Sequence, residues 1–268
     1  MSVLAVPGAR LYYEVRGTGP LLVLVPGAKG EAGTYQDLAA ALSERYRVVT
    51  YDRRGFSRSH LDGPQDDDQR LACDTDDLRA LLTHLGDQPA TVFGNSSGAI
   101  VALELLSHSP ELVRTAVAHE PPAVSLLPDA AAWQAFFDGV YDTYRTSGIP
   151  AAMRQFATAF SDADRRALHR QAMRPDNSPY REANAIYWMD HELRQYPRVD
   201  LDIDALAAHA DRLVLAGGRK SRGGLAYRTS EALAAKLGFE ILELPGGHFG
   251  CVTEPAAFAS ELLAALAD

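Results

Sequence analysis

A five-residue turn, Gly94-Asn95-Ser96-Ser97-Gly98, constrains the fold of this chain more than any other stretch. It follows an apolar run typical of a strand, 90–93, and it opens a helical pattern, 99–106. In a strand–turn–helix of the form Gly-x-Ser-x-Gly, the serine occupies a tight, strained turn, and the glycines remove Cβ atoms that would collide there. The hydroxyl of Ser96 then stands clear of the sheet, close to the N-terminus of the helix. The spacing predicts that Ser96 is a nucleophile.

Strand and helix patterns alternate on both sides of this turn. Apolar runs predict strands at 11–15, 21–25, 48–52, 113–118, 212–216 and 239–244. Periodic apolar residues predict helices between them. Such alternation favours an α/β fold with a mostly parallel central sheet and helices on both faces. The loops after the parallel strands should then share one rim of the sheet.

The strand pattern stops over one long segment, 123–208, where aromatic residues are frequent. We expect a core domain made of 1–122 and 209–268, with an inserted helical cap over 123–208 that covers the site. Trp188 and Trp133 are the cap residues expected to contact substrate, because of their size and amphipathic rims. Phe249, in the last rim loop, is the third residue expected to contact substrate.

Two further rim loops supply a base and an acid. His248 follows the last strand in a Gly-Gly-His loop, so its ring can take the proton of Ser96 and return it to the leaving group. A base of this kind needs an orienting carboxylate, and the loop 217–222, after the next-to-last strand, contains none. Glu120 stands at the end of the strand at 113–118, which follows the helix after Ser96, and it lies on the same rim. It is the expected acid. His119 should point to the opposite side of that strand end.

An oxyanion formed at Ser96 needs two backbone donors. The N–H of Ser97 is the expected first donor, and the N–H of Ala28, in the loop after the strand at 21–25, is the expected second. Asp52 and Arg54 form a charged turn near the site. We expect them to hold loops together rather than to take part in chemistry.

Charge and composition exclude several other classes of protein. The formal net charge of −9 argues against nucleic acid or an anionic membrane surface as partner. The Asp-rich stretch 62–77 is interpreted as a solvated loop and the acidic first turn of a helix, and we expect neither a metal nor a cofactor. No apolar run approaches the ~20 residues of a membrane span, and the N-terminus lacks the pattern of a secretory signal. The two cysteines, Cys73 and Cys251, lie far apart, which favours a reduced, cytoplasmic protein. The oligomeric state stays open, a homodimer included.

The whole chain resembles the α/β-hydrolases. Their usual motifs are matched by Val25-Pro26-Gly27, Asp52-Arg53-Arg54-Gly55-Phe56-Ser57, the turn around Ser96, and Gly247-His248. The order in the chain, nucleophile first and histidine last, is also theirs. This resemblance implies the α/β-hydrolase fold and its catalytic triad.

A narrower resemblance is to the fungal zearalenone lactone hydrolases. These carry a Ser-Ser-Gly elbow, a Cys-His-Glu-x-Pro stretch where this chain has 118–122, and a Leu-Pro-Gly-x-His-Phe stretch like 244–249. Their triad acid is that glutamate, so the resemblance implies the same role for Glu120. The chain departs from them at 26–28, where they have Asp-Gly, and through most of the cap. A tryptophan of their cap contacts the lactone, and Trp188 lies in a comparable region.

The leading hypothesis is a serine hydrolase that cleaves a carboxylic ester or lactone with an apolar body, a zearalenone-like macrolactone included, through an acyl-enzyme. The same fold and triad also serve C–C bond hydrolysis of β-diketone-type substrates. A cofactor-independent oxygenase and a non-catalytic small-molecule receptor are alternatives from other classes. Dehalogenases and epoxide hydrolases do not fit, because both need an Asp at the position of Ser96.

Overall fold

The computed structural model describes residues 2–86, 89–173 and 178–267, and of 171–173 only the backbone. Its strands are β1 (Ser2–Val6), β2 (Ala9–Arg16), β3 (Leu21–Val25), β4 (Arg47–Tyr51), β5 (His60–Leu61), β6 (Ala90–Asn95), β7 (Val113–His119), β8 (Leu213–Gly218) and β9 (Leu242–Leu244). They form one sheet in the order β1-β2-β4-β3-β6-β7-β8-β9, with β5 paired to β2. The pairs from β4 to β9 are all parallel, whereas β1, β2 and β5 add antiparallel pairs at one edge. The predicted, mostly parallel sheet is confirmed.

Helices cover both faces of the sheet. They are α1 (Gln36–Leu42), α2 (Arg70–Leu85), α3 (Ser97–His108), α4 (Ala130–Ser147), α5 (Ile149–Phe156), α6 (Asp162–Met173), α7 (Arg181–His191), α8 (Ile203–Ala208), α9 (Leu225–Leu237), α10 (Gly250–Thr253) and α11 (Pro255–Ala265). Within the described chain no helix is long and apolar enough to cross a membrane.

The central strands are apolar throughout because both of their faces are covered. In β3, Val23 and Val25 belong to one apolar cluster, with α2, α3, α8 and α9. Leu22 and Leu24, which point the other way, belong to a second cluster with α1 and α11. Alternate residues of one strand therefore fill two separate cores, as period-two geometry requires.

The segment between β7 and β8 is helical in its described part. Its helices α4, α5 and α7 pack into a third apolar cluster that contains Phe137 and Trp188. The same cluster includes Phe56, from the loop after β4, and Leu225, from the start of α9. We call 123–208 the helical segment below. Its division from the core at those bounds stays a prediction.

The Asp-rich stretch differs from the sequence interpretation in its second half. Asp74 and Asp77 lie on one face of α2, are each 1% exposed, and pair with Arg53 and Arg54. A charged residue is kept inside a protein only when it is paired. The interpretation of 62–77 as a solvated loop and the acidic first turn of a helix is therefore wrong for these two residues, which lie beyond the first turn of α2. Their partners lie about twenty residues earlier in the chain.

Candidate active site

The turn after β6 holds Ser96 in a strained conformation, with φ 57° and ψ −127°. Both glycines of the turn are needed, since a Cβ on Gly94 would lie 2.2 Å from the carbonyl oxygen of Gly98, and a Cβ on Gly98 would lie 2.2 Å from that of Val25. In the described chain, positive φ occurs at three non-glycine residues, two of which are Ser96 and Glu120. Strain of this kind persists where the surrounding structure fixes it, and it is concentrated at functional sites.

His248 and Glu120 form a buried pair, with Glu120 directly after β7 and His248 in the loop after β9, on either side of β8. Nδ1 of His248 lies 2.6 Å from Oε2 of Glu120, and both residues are buried. Burial raises the pKa of the Glu120 carboxyl, but the hydrogen bond and charge of His248 outweigh burial, so the pKa of Glu120 is lowered. An ionised carboxylate can only accept, so Nδ1 of His248 carries the proton of this hydrogen bond.

Ser96 lines the same cavity as His248. Among the described side chains, no hydrogen bond joins Oγ of Ser96 to Nε2 of His248. Bonds between a nucleophile and its base are often long until substrate binds. The structure therefore brings the three predicted triad residues to one place, with the acid–base contact already formed.

The end of β8 and the loop after it anchor Glu120, although they contain no carboxylate. The backbone N–H of Gly218 donates to Oε1 of Glu120 at 2.8 Å, and the hydroxyl of Ser221 donates to the same oxygen. Sequence reasoning missed both donors. The only signal for them was a serine in a loop where a carboxylate was expected and absent.

Asn95 fixes the loop that carries His248. Its amide Nδ2 donates to the carbonyl oxygen of His248 at 3.1 Å and lies 2.9 Å from Nδ1 of His119. His119 is fully buried against Phe93 and Phe258, away from the cavity lining. Burial lowers the pKa of His119 to about 4, so this ring stays neutral and its Nδ1 accepts from Asn95. Asn95, the residue before Ser96 in the turn, was not predicted to have a role.

A second carboxylate lies against the His248 loop. Asp164 of α6 is 2% exposed and accepts a hydrogen bond from Oγ of Ser161 at 2.7 Å. A Cβ on Gly247 would lie 2.2 Å from its Oδ1, so this approach requires glycine. Burial raises the pKa of the Asp164 carboxyl. No local sequence pattern pointed to this residue.

The two expected oxyanion donors flank the nucleophile. Ser97 is the first residue of α3, so its N–H is one of the free donors at that N-terminus. The loop after β3 lies against the elbow, because a Cβ on Gly27 would be 3.0 Å from the Cβ of Ser96. Ala28 follows directly and lines the cavity together with Ser96 and Ser97. The geometry thus suits the predicted pair of backbone donors.

The cavity lies between the rim of the sheet and the helical segment and encloses about 500 Å³, its open mouth included. Most of its lining is apolar, including Phe137, Phe156, Phe160, Trp188, Leu193 and Leu225. Of the three expected substrate contacts, Trp188 lines the cavity, whereas Trp133 and Phe249 lie outside the lining. Trp133 packs on Phe136 and donates its Nε1 to Asp129, and Phe249 packs on the ring of Phe160. These positions count against the expected contact of Trp133 and Phe249 with substrate, and of the three Trp188 stays the candidate.

Comparisons with known proteins find relatives over nearly the whole chain. Residues 20–255 match a family described as alpha/beta hydrolase fold. The chain is 34% identical to an uncharacterized hydrolase, YraK, of Bacillus subtilis, over 97% of this chain and 94% of that one. It is 28% identical to a zearalenone hydrolase of Cladophialophora bantiana, over 96% and 93% of the two chains. The enol-lactonase of Burkholderia xenovorans superposes with a TM-score of 0.73 at 20% identity, over 100% of both chains, which is a likeness of fold.

Proposed function

The chain belongs to the α/β-hydrolase family and is a hydrolase, and from that premise we propose that it cleaves a carboxylic ester or lactone through an acyl-enzyme on Ser96. The family match confirms both the fold class and the resemblance inferred from the motifs. One observation carries the proposal, namely the 2.6 Å contact between His248 Nδ1 and Glu120 Oε2 beside the strained Ser96.

Each group of the site has a part in the proposed reaction. Oγ of Ser96 attacks the acyl carbonyl while Nε2 of His248 takes its proton, and the Glu120 carboxylate stabilises the imidazolium that forms. The N–H groups of Ala28 and Ser97 bind the oxyanion. Collapse of the tetrahedral intermediate breaks the C–O bond, and the imidazolium protonates the departing alkoxide. A water molecule, deprotonated by His248, then attacks the acyl-enzyme, and Ser96 is released with the carboxylic acid.

The lining of the cavity supports a substrate with an uncharged, apolar body. Among the described lining residues, Glu192 is the one with a carboxylate, and this carboxylate is already paired with Arg53 and Arg70. The described lining therefore offers no unpaired carboxylate, lysine or arginine to an ionic substrate, whereas the aromatic rings suit an apolar acyl or alcohol group. The zearalenone hydrolases among the relatives make a zearalenone-like macrolactone the specific candidate.

The proposal is tested by turnover of a panel that contains aryl esters, a macrolactone and a β-diketone. Hydrolysis of the esters or the lactone is expected, and a fluorophosphonate should stop it by labelling Ser96. Ser96→Ala should abolish both turnover and labelling, while Ser97→Ala, the neighbouring control, should keep both. Turnover of the β-diketone alone would favour C–C bond hydrolysis, and labelling at Ser97 would overturn the assignment of the nucleophile.

A further inference from the structure

A buried network of charged groups lies directly beneath the cavity. Arg53, which is fully buried, donates to Asp74 Oδ2 at 2.7 Å and to Glu192 Oε2 at 2.6 Å. Arg70 donates to the other oxygen of Glu192 at 2.7 Å. Tyr196, whose hydroxyl contacts both Arg53 and Asp74, completes the network. The charges of two arginines and two carboxylates balance.

The network joins separate parts of the chain. Arg53 follows β4, and Arg70 and Asp74 belong to α2, whereas Glu192 and Tyr196 lie just after α7 in the helical segment. Buried ion pairs cost desolvation that their attraction roughly offsets, so stability alone is a weak reason for such a network. The network also borders the cavity that Ser96 lines, because Glu192 and Tyr196 belong to the same lining.

Arg53 also binds the backbone of the predicted oxyanion hole. Its Nη2 donates to the carbonyl oxygen of Gly27 at 3.0 Å, and the N–H of Gly30 donates to the same oxygen at 2.9 Å. A trans peptide unit is planar, so the carbonyl of Gly27 and the N–H of Ala28 point in opposite directions. The N–H of Ala28 is therefore directed away from Arg53, and Ala28 lines the cavity beside Ser96.

We propose that Glu192 is a positioning residue, which holds Arg53 against the carbonyl of Gly27 and so aligns the N–H of Ala28 with the oxyanion. This inference rests on the proposed function. Glu192 belongs to the helical segment. The alignment of the oxyanion hole therefore depends on the packing of that segment against Arg53 and Arg70. Asp74 and the N–H of Gly30 hold Arg53 and the Gly27 carbonyl as well, so loss of the Glu192 charge should shift the donor rather than remove it.

Glu192→Gln tests the proposal, because it keeps the size of the side chain and removes its charge. Loss of a whole oxyanion donor lowers kcat about 10²–10³-fold. We expect Glu192→Gln to lower kcat by about tenfold or more, towards that limit, with KM within about twofold of the wild type. Asp190→Asn is the matched control, because Asp190 lies two residues earlier, contacts Tyr144 and Arg145, and is outside the network. Its kcat should stay unchanged.

A spectroscopic measurement separates positioning from a merely structural role. The carbonyl stretching frequency of an acyl group on Ser96, read by infrared difference spectroscopy with ¹³C label, reports the strength of the oxyanion hydrogen bonds. Glu192→Gln should move the band to higher frequency. Glu192→Asp retains the charge, but its side chain is too short to reach both arginines, so it should also move the band to higher frequency. This variant tests the proposal if Glu192→Gln does not fold.

Two outcomes would be distinguishable. An acyl band that stays at the wild-type frequency in these variants, with unchanged kcat, would overturn the role of Glu192. Failure of the wild-type protein to form any acyl-enzyme would instead overturn the proposed function.

Discussion

Glu120 occupies a conformation that a residue without a function would be expected to avoid. Its φ of 53° lies in the left-handed region, which costs a non-glycine residue of order 1–3 kcal/mol. Three donors hold its carboxylate in place, from His248, Gly218 and Ser221. These contacts fix the strained backbone and aim one oxygen at the imidazole.

Glu120→Gln should leave the protein folded and lower kcat by up to about 10⁴-fold, because an amide neither selects the correct imidazole tautomer nor stabilises the imidazolium. Steady-state kinetics with an activated aryl ester would measure the loss. Asp164→Asn is the control, since Asp164 hydrogen-bonds the backbone of His248, whereas Glu120 holds Nδ1 of the ring. We expect less than a tenfold loss for it. Equal losses in the two variants would contradict the assignment of the acid.

His119 should make the stability of the protein depend on pH. Burial lowers its pKa in the folded state to about 4, against about 6.5 in the unfolded chain. The unfolded state thus binds the proton first as the pH falls, and stability is lost between pH 6.5 and pH 4. The expected loss from pH 7 to pH 5 is about 2 kcal/mol.

Urea unfolding of the wild type and of His119→Gln, each at pH 7 and pH 5, would measure this contribution. The variant should lose about 2 kcal/mol less over that interval than the wild type. An identical loss in the two proteins would show that His119 does not stay neutral in the fold.

Local patterns predicted the three proposed reacting residues but not the residues that hold them. Ser96 was predictable because the turn needs glycines at fixed spacing, and His248 and Glu120 because each follows a strand on one rim. Ser221 and Asp164 reach the site only through contacts between distant parts of the chain, 101 residues apart for the bond from Ser221 to Glu120. A side chain placed by tertiary packing leaves no periodic or spacing signal in its own neighbourhood.

At the scale of elements, the strands were easier to predict than the helices of the segment 123–208. Continuous apolar runs marked the central strands, whose two faces are both covered. The edge strand β1 was missed, because half-buried and exposed residues alternate in it over only five residues and none is buried. How α4, α5 and α7 pack could not be foreseen, since the cluster they form is completed by Phe56 and Leu225 from elsewhere in the chain.

Trp188 should control the choice of substrate. It lies in the cavity lining, 7% exposed, with its ring 5.0 Å from that of Phe156. Trp188→Leu should change the ratio of kcat/KM between a bulky aryl ester and a small acetate ester by about tenfold or more, while kcat for the small ester changes less. Trp133→Leu is the control, because Trp133 lies outside the lining, and its ratio should stay within about twofold of the wild type. A parallel loss on both esters in Trp188→Leu would count against a role in specificity.

At the scale of the whole molecule, the helical segment and the core should unfold together. The third apolar cluster contains residues of both, and Glu192 ties the segment to Arg53 and Arg70. Both tryptophans of the chain, Trp133 and Trp188, belong to the segment, so their fluorescence reports it alone. Far-ultraviolet circular dichroism reports the entire molecule.

The two signals should therefore follow one urea transition with a common midpoint. A fluorescence midpoint at lower urea than the dichroism midpoint would show that the segment opens before the core. That result would also weaken the coupling inferred for Glu192.

The carboxylate of Glu120 reaches its place from β7, yet the donors that hold it come from the end of β8. For the proposed triad acid, position along the chain and position in space are thus separate properties. A survey that looks for a carboxylate only after β8 would meet Arg219, Lys220 and Arg222 and class this protein as inactive. A survey that searches for carboxylate oxygens within about 3 Å of Nδ1 of the histidine would find the proposed acid, Glu120, at 2.6 Å. Functional classification of such chains should therefore be made by neighbourhood around the imidazole rather than by order in the sequence.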